Sequence, residues 1–242
     1  MPAKFEIMAM PPENTNSVLM TVGNDAVIFD AWGRADDWQR LLGERGLSLR
    51  AVYSTHGHGD HISAAPHLAA RYDVPWYLNT ADTALIEWSR DLLAYFGLPV
   101  IDGSVAPTNL PYGTFEILPG AWADVIAAPG HSAGGVAFYF PDSGILIIGD
   151  TLFANGVGRC DLPGGDDRAL ATTISRICAM NLADETFVVP GHGYAVTWGE
   201  MRRTNPYVRD AYGCGCECGC GGHHCESNQV CACDHDCACH HK

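Results

Sequence analysis

The chain has 242 residues, 47% of them hydrophobic, and a formal net charge of −14 at pH 7. That length holds one large domain, or one domain with a small appendage, and the apolar content suffices for a packed core. With only two lysines, Lys4 and Lys242, the chain lacks the basic surface that nucleic-acid phosphates or an anionic membrane would require. Residues 1–10 carry Glu6 and lack a long apolar run after a basic start. A cytoplasmic protein without signal peptide or membrane span is therefore expected.

In chain order, residues 5–10, 17–22 and 26–30 have the composition of strands, and Gly23-Asn24-Asp25 predicts a hairpin between the last two. Residues 36–45 predict a helix ending at Gly46. Residues 50–54 lean to β and 62–71 to helix. Residues 74–78 predict a short buried strand. A helix capped by Thr80 follows, with Leu85, Trp88, Leu92 and Phe96 on one face, stopped by Gly97 and Pro99. Four strand candidates come next, at 113–118, 124–128, 135–140 and 145–148. Asp166 and Asp167 open an amphipathic helix bearing Leu170, Ile174 and Ile177, and their charge complements the helix dipole. Residues 187–189 give a last strand and 198–203 a last short helix. Strands with a helix, more strands, then helix, strand and helix predict a layered α/β sandwich rather than a simple βαβ repeat.

Between the strand at 50–54 and the helix after it lies Thr55-His56-Gly57-His58-Gly59-Asp60-His61. Four metal-capable side chains occupy six residues, and the interleaved glycines let the backbone turn tightly. Neutral imidazole and carboxylate suit zinc, iron or manganese. Three more ligand candidates follow apolar strands with glycine beside them: His131 after Pro129-Gly130, Asp150 after Ile147-Ile148-Gly149, and His192 within Pro190-Gly191-His192-Gly193. Each alone fits an ordinary loop residue. The threefold repetition of the pattern points to one shared site with His56, His58, Asp60 and His61. Asp30, also at a strand end, is placed to brace the ligand loop. His67, inside the following helix, has no ligand neighbour and is expected to play no part.

The His-x-His-x-Asp-His stretch with His131, Asp150 and His192 resembles the metallo-β-lactamase superfamily. Gly149-Asp150-Thr151-Leu152-Phe153, Gly156-Val157-Gly158-Arg159, Leu162-Pro163-Gly164-Gly165-Asp166 and Thr197-Trp198-Gly199-Glu200 are similar to its short bacterial glyoxalase II-like branch. The likeness covers roughly residues 4–210. It implies an αββα sandwich with a metal site at one edge of the sheets. It further implies two zinc ions, iron or manganese being possible substitutes. His56, His58 and His131 would hold one ion, Asp60, His61 and His192 the other, and Asp150 both. The implied reaction is thioester hydrolysis by a metal-bridging hydroxide, with Asp60 and Asp150 as the catalytic carboxylates and a small hydroxyacylglutathione, S-lactoylglutathione, as substrate.

This sequence departs from the branch at Ala31-Trp32-Gly33, where relatives have Pro-Gly, so Trp32 either shapes the pocket or packs. It also lacks the long enzymes' helical domain with its basic glutathione contacts. Arg159 is either a substrate-facing cation or a loop clamp, the latter favoured. Within the superfamily a glutathione persulfide dioxygenase with a single iron is the alternative activity. A β-lactamase is disfavoured because Asp150 stands where those enzymes commonly place Cys, and a nuclease is disfavoured by charge.

Composition changes abruptly near residue 212, which divides a domain over 1–211 from a tail over 212–242. The tail holds Cys214, Cys216, Cys218, Cys220, Cys225, Cys231, Cys233, Cys237 and Cys239, with His223, His224, His235, His240 and His241. It has almost no apolar residues, so metal would have to supply its folding energy. Alternating thiols place several sulfurs within reach of one soft ion, and an odd number of cysteines cannot all pair internally. The composition is similar to metallothionein. Zinc or another soft ion is the expected ligand, and a metal storage or detoxification protein is the non-enzyme alternative for the chain.

Overall fold

A computed structural model describes residues 1–10, 14–99 and 105–211. Two six-stranded sheets lie face to face with helices outside each. The first contains β1 (Lys4–Met10), β2 (Thr15–Val22), β3 (Asp25–Phe29), β4 (Ser48–Tyr53), β5 (Trp76–Leu78) and β6 (Thr108–Asn109), side by side in chain order. β1, β2 and β3 are antiparallel, and β3 to β6 run parallel. The second sheet has β7 (Gly113–Leu118), β8 (Ala121–Ala127), β9 (Val136–Phe140) and β10 (Ile145–Gly149). A ribbon of β11 (Leu152–Phe153) and β12 (Gly156–Val157) stands apart. β13 (Phe187–Pro190) and β14 (Val196–Thr197) complete the second sheet in the order β14-β13-β10-β9-β8-β7.

Period-two alternation sorts the apolar side chains into layers. Along β2 and β3, Val18, Met20, Val27 and Phe29 face the second sheet, where they meet Phe138, Phe140 and Val189. Their neighbours Leu19, Ala26 and Ile28 face α1 (Ala35–Glu44) and α3 (Ala65–Tyr72), packing on Trp38, Leu42 and Leu68. On the far side, Leu146, Ile148 and Val188 pack against α5 (Asp167–Cys178), α6 (Trp198–Thr204) and α7 (Pro206–Ala211). The result is an αββα sandwich, as expected. Among the described residues no helix is long and apolar enough to cross a membrane.

Several expectations need correction. The single helix over 62–71 is two pieces, α2 (Gly59–Ile62) and α3. Pro66 stands at the start of α3, where its missing N–H is harmless, and would interrupt a continuous helix. The cap before α4 (Thr83–Tyr95) is Asn79, not Thr80: its side chain accepts from Ala81 N and opens a short 3₁₀ turn over Thr80–Asp82. The side chains that α4 buries are Leu85, Ile86, Ser89 and Leu93, while Leu92 and Phe96 are 38% and 62% exposed. Of the predicted apolar stripe Leu85 is buried, while Trp88, Leu92 and Phe96 border a cleft. β6, β14, the β11–β12 ribbon and α7 had no sequence expectation. Trp32 is fully buried in the helix-side core, its carbonyl accepting from the Trp38 indole, so it packs.

Candidate metal centre

Every ligand candidate lies just past a strand of one sheet or the other, at a shared edge of the sandwich. His56 and His58 leave β4, and Asp60 and His61 sit in α2. His131 follows β8, Asp150 follows β10, and His192 follows β13. Gly57 is required between the first two imidazoles, because a Cβ there would come within 2.8 Å of the Asp82 carbonyl oxygen. Gly191 is required beside His192, because a Cβ would overlap Asp150 Oδ1.

The side chains form two groups that share a carboxylate. His58 Nδ1 and His131 Nε2 are 2.8 Å apart, with the His56 ring 4.8 Å from each of theirs. In the second group Asp60 Oδ2 lies 3.5 Å from His61 Nε2 and 3.1 Å from His192 Nε2. Asp150 reaches both. Its Oδ2 is 3.6 Å from His131 Nε2 and 3.5 Å from His192 Nε2, and its Oδ1 is 3.5 Å from His61 Nε2. The ligand atoms of His56, His58 and His131 lie within 4.8 Å of one another, as do those of Asp60, His61 and His192.

A second layer of contacts aims the imidazoles. Asp30 is buried in a left-handed backbone conformation at the end of β3, and its oxygens accept from Thr55 N at 2.7 Å and Thr55 Oγ1 at 2.8 Å. Thr55 Oγ1 in turn accepts from His56 Nδ1 at 3.0 Å. Asp30 Oδ2 also lies 3.0 Å from His61 Nδ1. The Arg159 carbonyl accepts from His131 Nδ1 at 2.7 Å. Donation from Nδ1 leaves the Nε2 lone pair of His56 and His131 pointing into the site. The Arg159 guanidinium donates to Asp161 at 2.6 and 2.7 Å in a pair exposed to solvent, and the residue also lines the cleft above the ligands.

Two contributors lay outside the sequence expectations. Asp82, fully buried, accepts from Gly57 N at 2.9 Å, Ser132 Oγ at 2.7 Å and Gly134 N at 2.5 Å. One carboxylate thus ties the His56–His58 turn to the His131 loop. Thr15 Oγ1 donates to Asp60 Oδ2 at 3.2 Å. All four bonds join residues far apart in sequence, so only the helix-start position of Asp82 offered a local signal, and that signal indicates a cap. His67 lies on α3, outside the cluster.

Electrostatics fit the donor set at His56 and His58, while the carboxylates around His61 favour a proton there that a bound cation would have to displace. Burial, reinforced by the neighbouring imidazoles, drives His56 well below its ordinary range and pushes His58 down to about 3, so both stay neutral. Burial also opposes charge on His61, but Asp60, Asp30 and Asp150 outweigh it and raise that imidazole to about 10. Burial works against ionised Asp60 too, and is overcome by His61 and His192, which hold it well below the usual carboxylate range. His56 Nε2, His61 Nε2 and Asp150 Oδ1 are buried without a hydrogen-bond partner. Converging lone pairs with orphaned buried atoms fit cations, and the mixed imidazole and carboxylate donors suit zinc, iron or manganese. The nine tail cysteines and the five tail histidines lie outside the described residues.

Residues 10–192 match the metallo-β-lactamase superfamily. Hydroxyacylglutathione hydrolase GloC of Haemophilus influenzae is 33% identical over 186 residues, spanning 76% of this chain and 87% of that protein. The crystal structure of TTHA1623 in a di-iron-bound form superposes with a TM-score of 0.75 at 34% identity, covering 84% of this chain and 99% of that one. The BLEG-1 B3 metallo-β-lactamase gives 0.75 at 30% identity, covering 85% and 99%. Sandwich, site and relatives agree: the chain belongs to the metallo-β-lactamase superfamily and is a metallo-hydrolase.

Proposed function

We propose that the chain hydrolyses thioesters of the 2-hydroxyacylglutathione type, S-lactoylglutathione among them, and that its Cys/His tail binds further zinc or another soft ion. The observation that carries the reading is the pair of ligand groups joined by Asp150. His56, His58 and His131 would hold one ion and Asp60, His61 and His192 a second, with Asp150 serving both. Two such ions, when bound, supply a water acidified to a pKa of about 7 and a Lewis acid for a carbonyl oxygen.

The chain's own residues do the rest. Ionised Asp60, steadied by Thr15, accepts a hydrogen bond and so orients the attacking water. Asp30, Thr55 and the Arg159 carbonyl fix the imidazoles, so no rotamer search accompanies each turnover. Apart from the ligands, the one titratable side chain among the described residues lining the cleft is Arg159. A thiol leaving group, with a pKa of about 8.5, departs as thiolate without a proton donor, whereas an amine does not. The site therefore favours a thioester over an amide. The GloC relative, named as a hydroxyacylglutathione hydrolase, supports the same class. A single-iron persulfide dioxygenase would instead take up oxygen with glutathione persulfide and purify with iron, and those readouts separate it from the hydrolase.

Zinc-loaded protein should release thiol from S-lactoylglutathione, and no release would overturn the reading. For the tail, metal content of the full chain is compared with a full-length variant carrying serine at the nine tail cysteines. Equal content in the two would sink the tail's role.

A further inference from the structure

The cleft above the ligands, about 810 Å³ in volume, has two walls of one chemical kind. One is formed by Trp88 and Leu92 of α4 with Phe96 at its C-cap, the other by Phe153 and Val157 of the β11–β12 ribbon with Leu162 beyond it. Both walls start at the ligands themselves. The Trp88 ring is 5.8 Å from the His58 ring, and the Phe153 ring 6.3 Å from the His192 ring. Scattered exposed apolar residues are unremarkable on a protein surface, but several lining one cleft mark a binding site.

Among the described residues lining the cleft the cation is Arg159, which donates through Nε and Nη2 to Asp161 and belongs to neither apolar wall. A thioester has two halves. The glutathione half is a polar tripeptide with carboxylates, which these walls would desolvate without a partner. The acyl half carries no such charge. We infer that the two walls seat the acyl group, and that the enzyme turns over thioesters with a bulky apolar acyl substituent, aromatic or branched, ahead of a small one. This rests on the thioester reading above and narrows its substrate class. The chemistry is the same for either acyl group: water adds at the carbonyl carbon, the C–S bond breaks, and the products are the acid and the free thiol.

The test compares kcat/KM of the full-length, zinc-loaded protein for S-mandeloylglutathione and S-lactoylglutathione, which share thiol and hydroxyl and differ by phenyl against methyl. The mandeloyl ester should lead by about tenfold or more, in line with the discrimination an apolar pocket gives for added carbon. Leu92→Asp places a charge on a wall position already 38% exposed, so the fold tolerates it. It should shrink the mandeloyl-to-lactoyl ratio severalfold, as should Trp88→Ala. Turnover of both esters with lactoyl equal or faster overturns the inference and leaves the hydrolase reading standing. A ratio unmoved by both substitutions also overturns it. Turnover of neither ester overturns the inference and the hydrolase reading together.

Discussion

The floor and the walls of the cleft are built on opposite principles. On the floor, seven ligand candidates come from both sheets, and their aim is set by buried groups that themselves have fixed partners: Asp30 through Thr55, Asp82 through Gly57, Ser132 and Gly134, and the Arg159 carbonyl through His131. On the walls, Trp88 and Leu92 of α4 and Phe96 at its C-cap present rings and an aliphatic chain to the cleft. A floor residue cannot change without leaving a buried donor or acceptor unpaired, which is the expensive kind of loss. A wall residue can change size or polarity and disturb little but the ligand it touches. Reaction type is thereby fixed by the fold and substrate choice left adjustable, in keeping with the many functions one fold can host.

The comparison breaks first if the floor proves tolerant. Asp60→Ala removes a ligand candidate and the hydrogen-bond acceptor for water, and turnover should fall by more than the roughly 10–100-fold typical of supporting residues. Metal analysis should show one ion per chain fewer than the parent protein holds. Near-normal activity would refute a binuclear mechanism. Gly191→Ala should act alike without replacing a ligand, because its Cβ would displace Asp150. If that variant keeps both ions and full turnover, Asp150 is not the shared carboxylate.

Next in size is Asp82→Ala. It strips the acceptor from Gly57 N, Gly134 N and Ser132 Oγ at once. Stranding buried donors should lower stability by about 2–4 kcal/mol, on the scale of 1–3 kcal/mol for each unsatisfied group. Denaturant unfolding of the metal-free protein measures that term, and chelator competition should show metal held about 10–100-fold more weakly. Unchanged chelator competition would reduce Asp82 to a structural residue.

The floor was largely legible in the sequence and the walls were not. Ligand types crowded into residues 56–61 are a local signal, and the glycines beside His131, Asp150 and His192 mark strand ends. Period-two apolar runs such as residues 17–22 suffice for the layered sandwich. Two-residue strands such as β6 and β14 are too short to show a period. The links from Asp82 and Thr15 span 25 to 52 positions, and nothing local announces them. The stripe Leu85, Trp88, Leu92, Phe96 was visible as a stripe. Its 3.6 period says that one face is apolar, but a core and a cleft demand the same pattern. Only the placement of α4 across the edge of the sandwich separates them.

That ambiguity sets up the smallest effect, which is also the sharpest division between the two regions. Leu93 lies in the last turn of α4 and Phe96 three positions on, at its C-cap, neighbours along one side of the helix. Leu93 is 4% exposed and presses its side chain against Gly59, where α2 begins. Leu93→Ala should cost about 2–4 kcal/mol, as buried leucine truncations do, and should loosen the turn that carries Asp60 and His61. Phe96→Ala, at a position 62% exposed, should move stability by no more than about 0.5 kcal/mol and leave both ions bound. Its effect belongs to acyl preference alone. Unfolding curves and metal content for the pair decide the matter: if Phe96→Ala destabilises as much as Leu93→Ala, the outer stripe of α4 is core after all, and the division between a fixed floor and an adjustable wall fails at that helix.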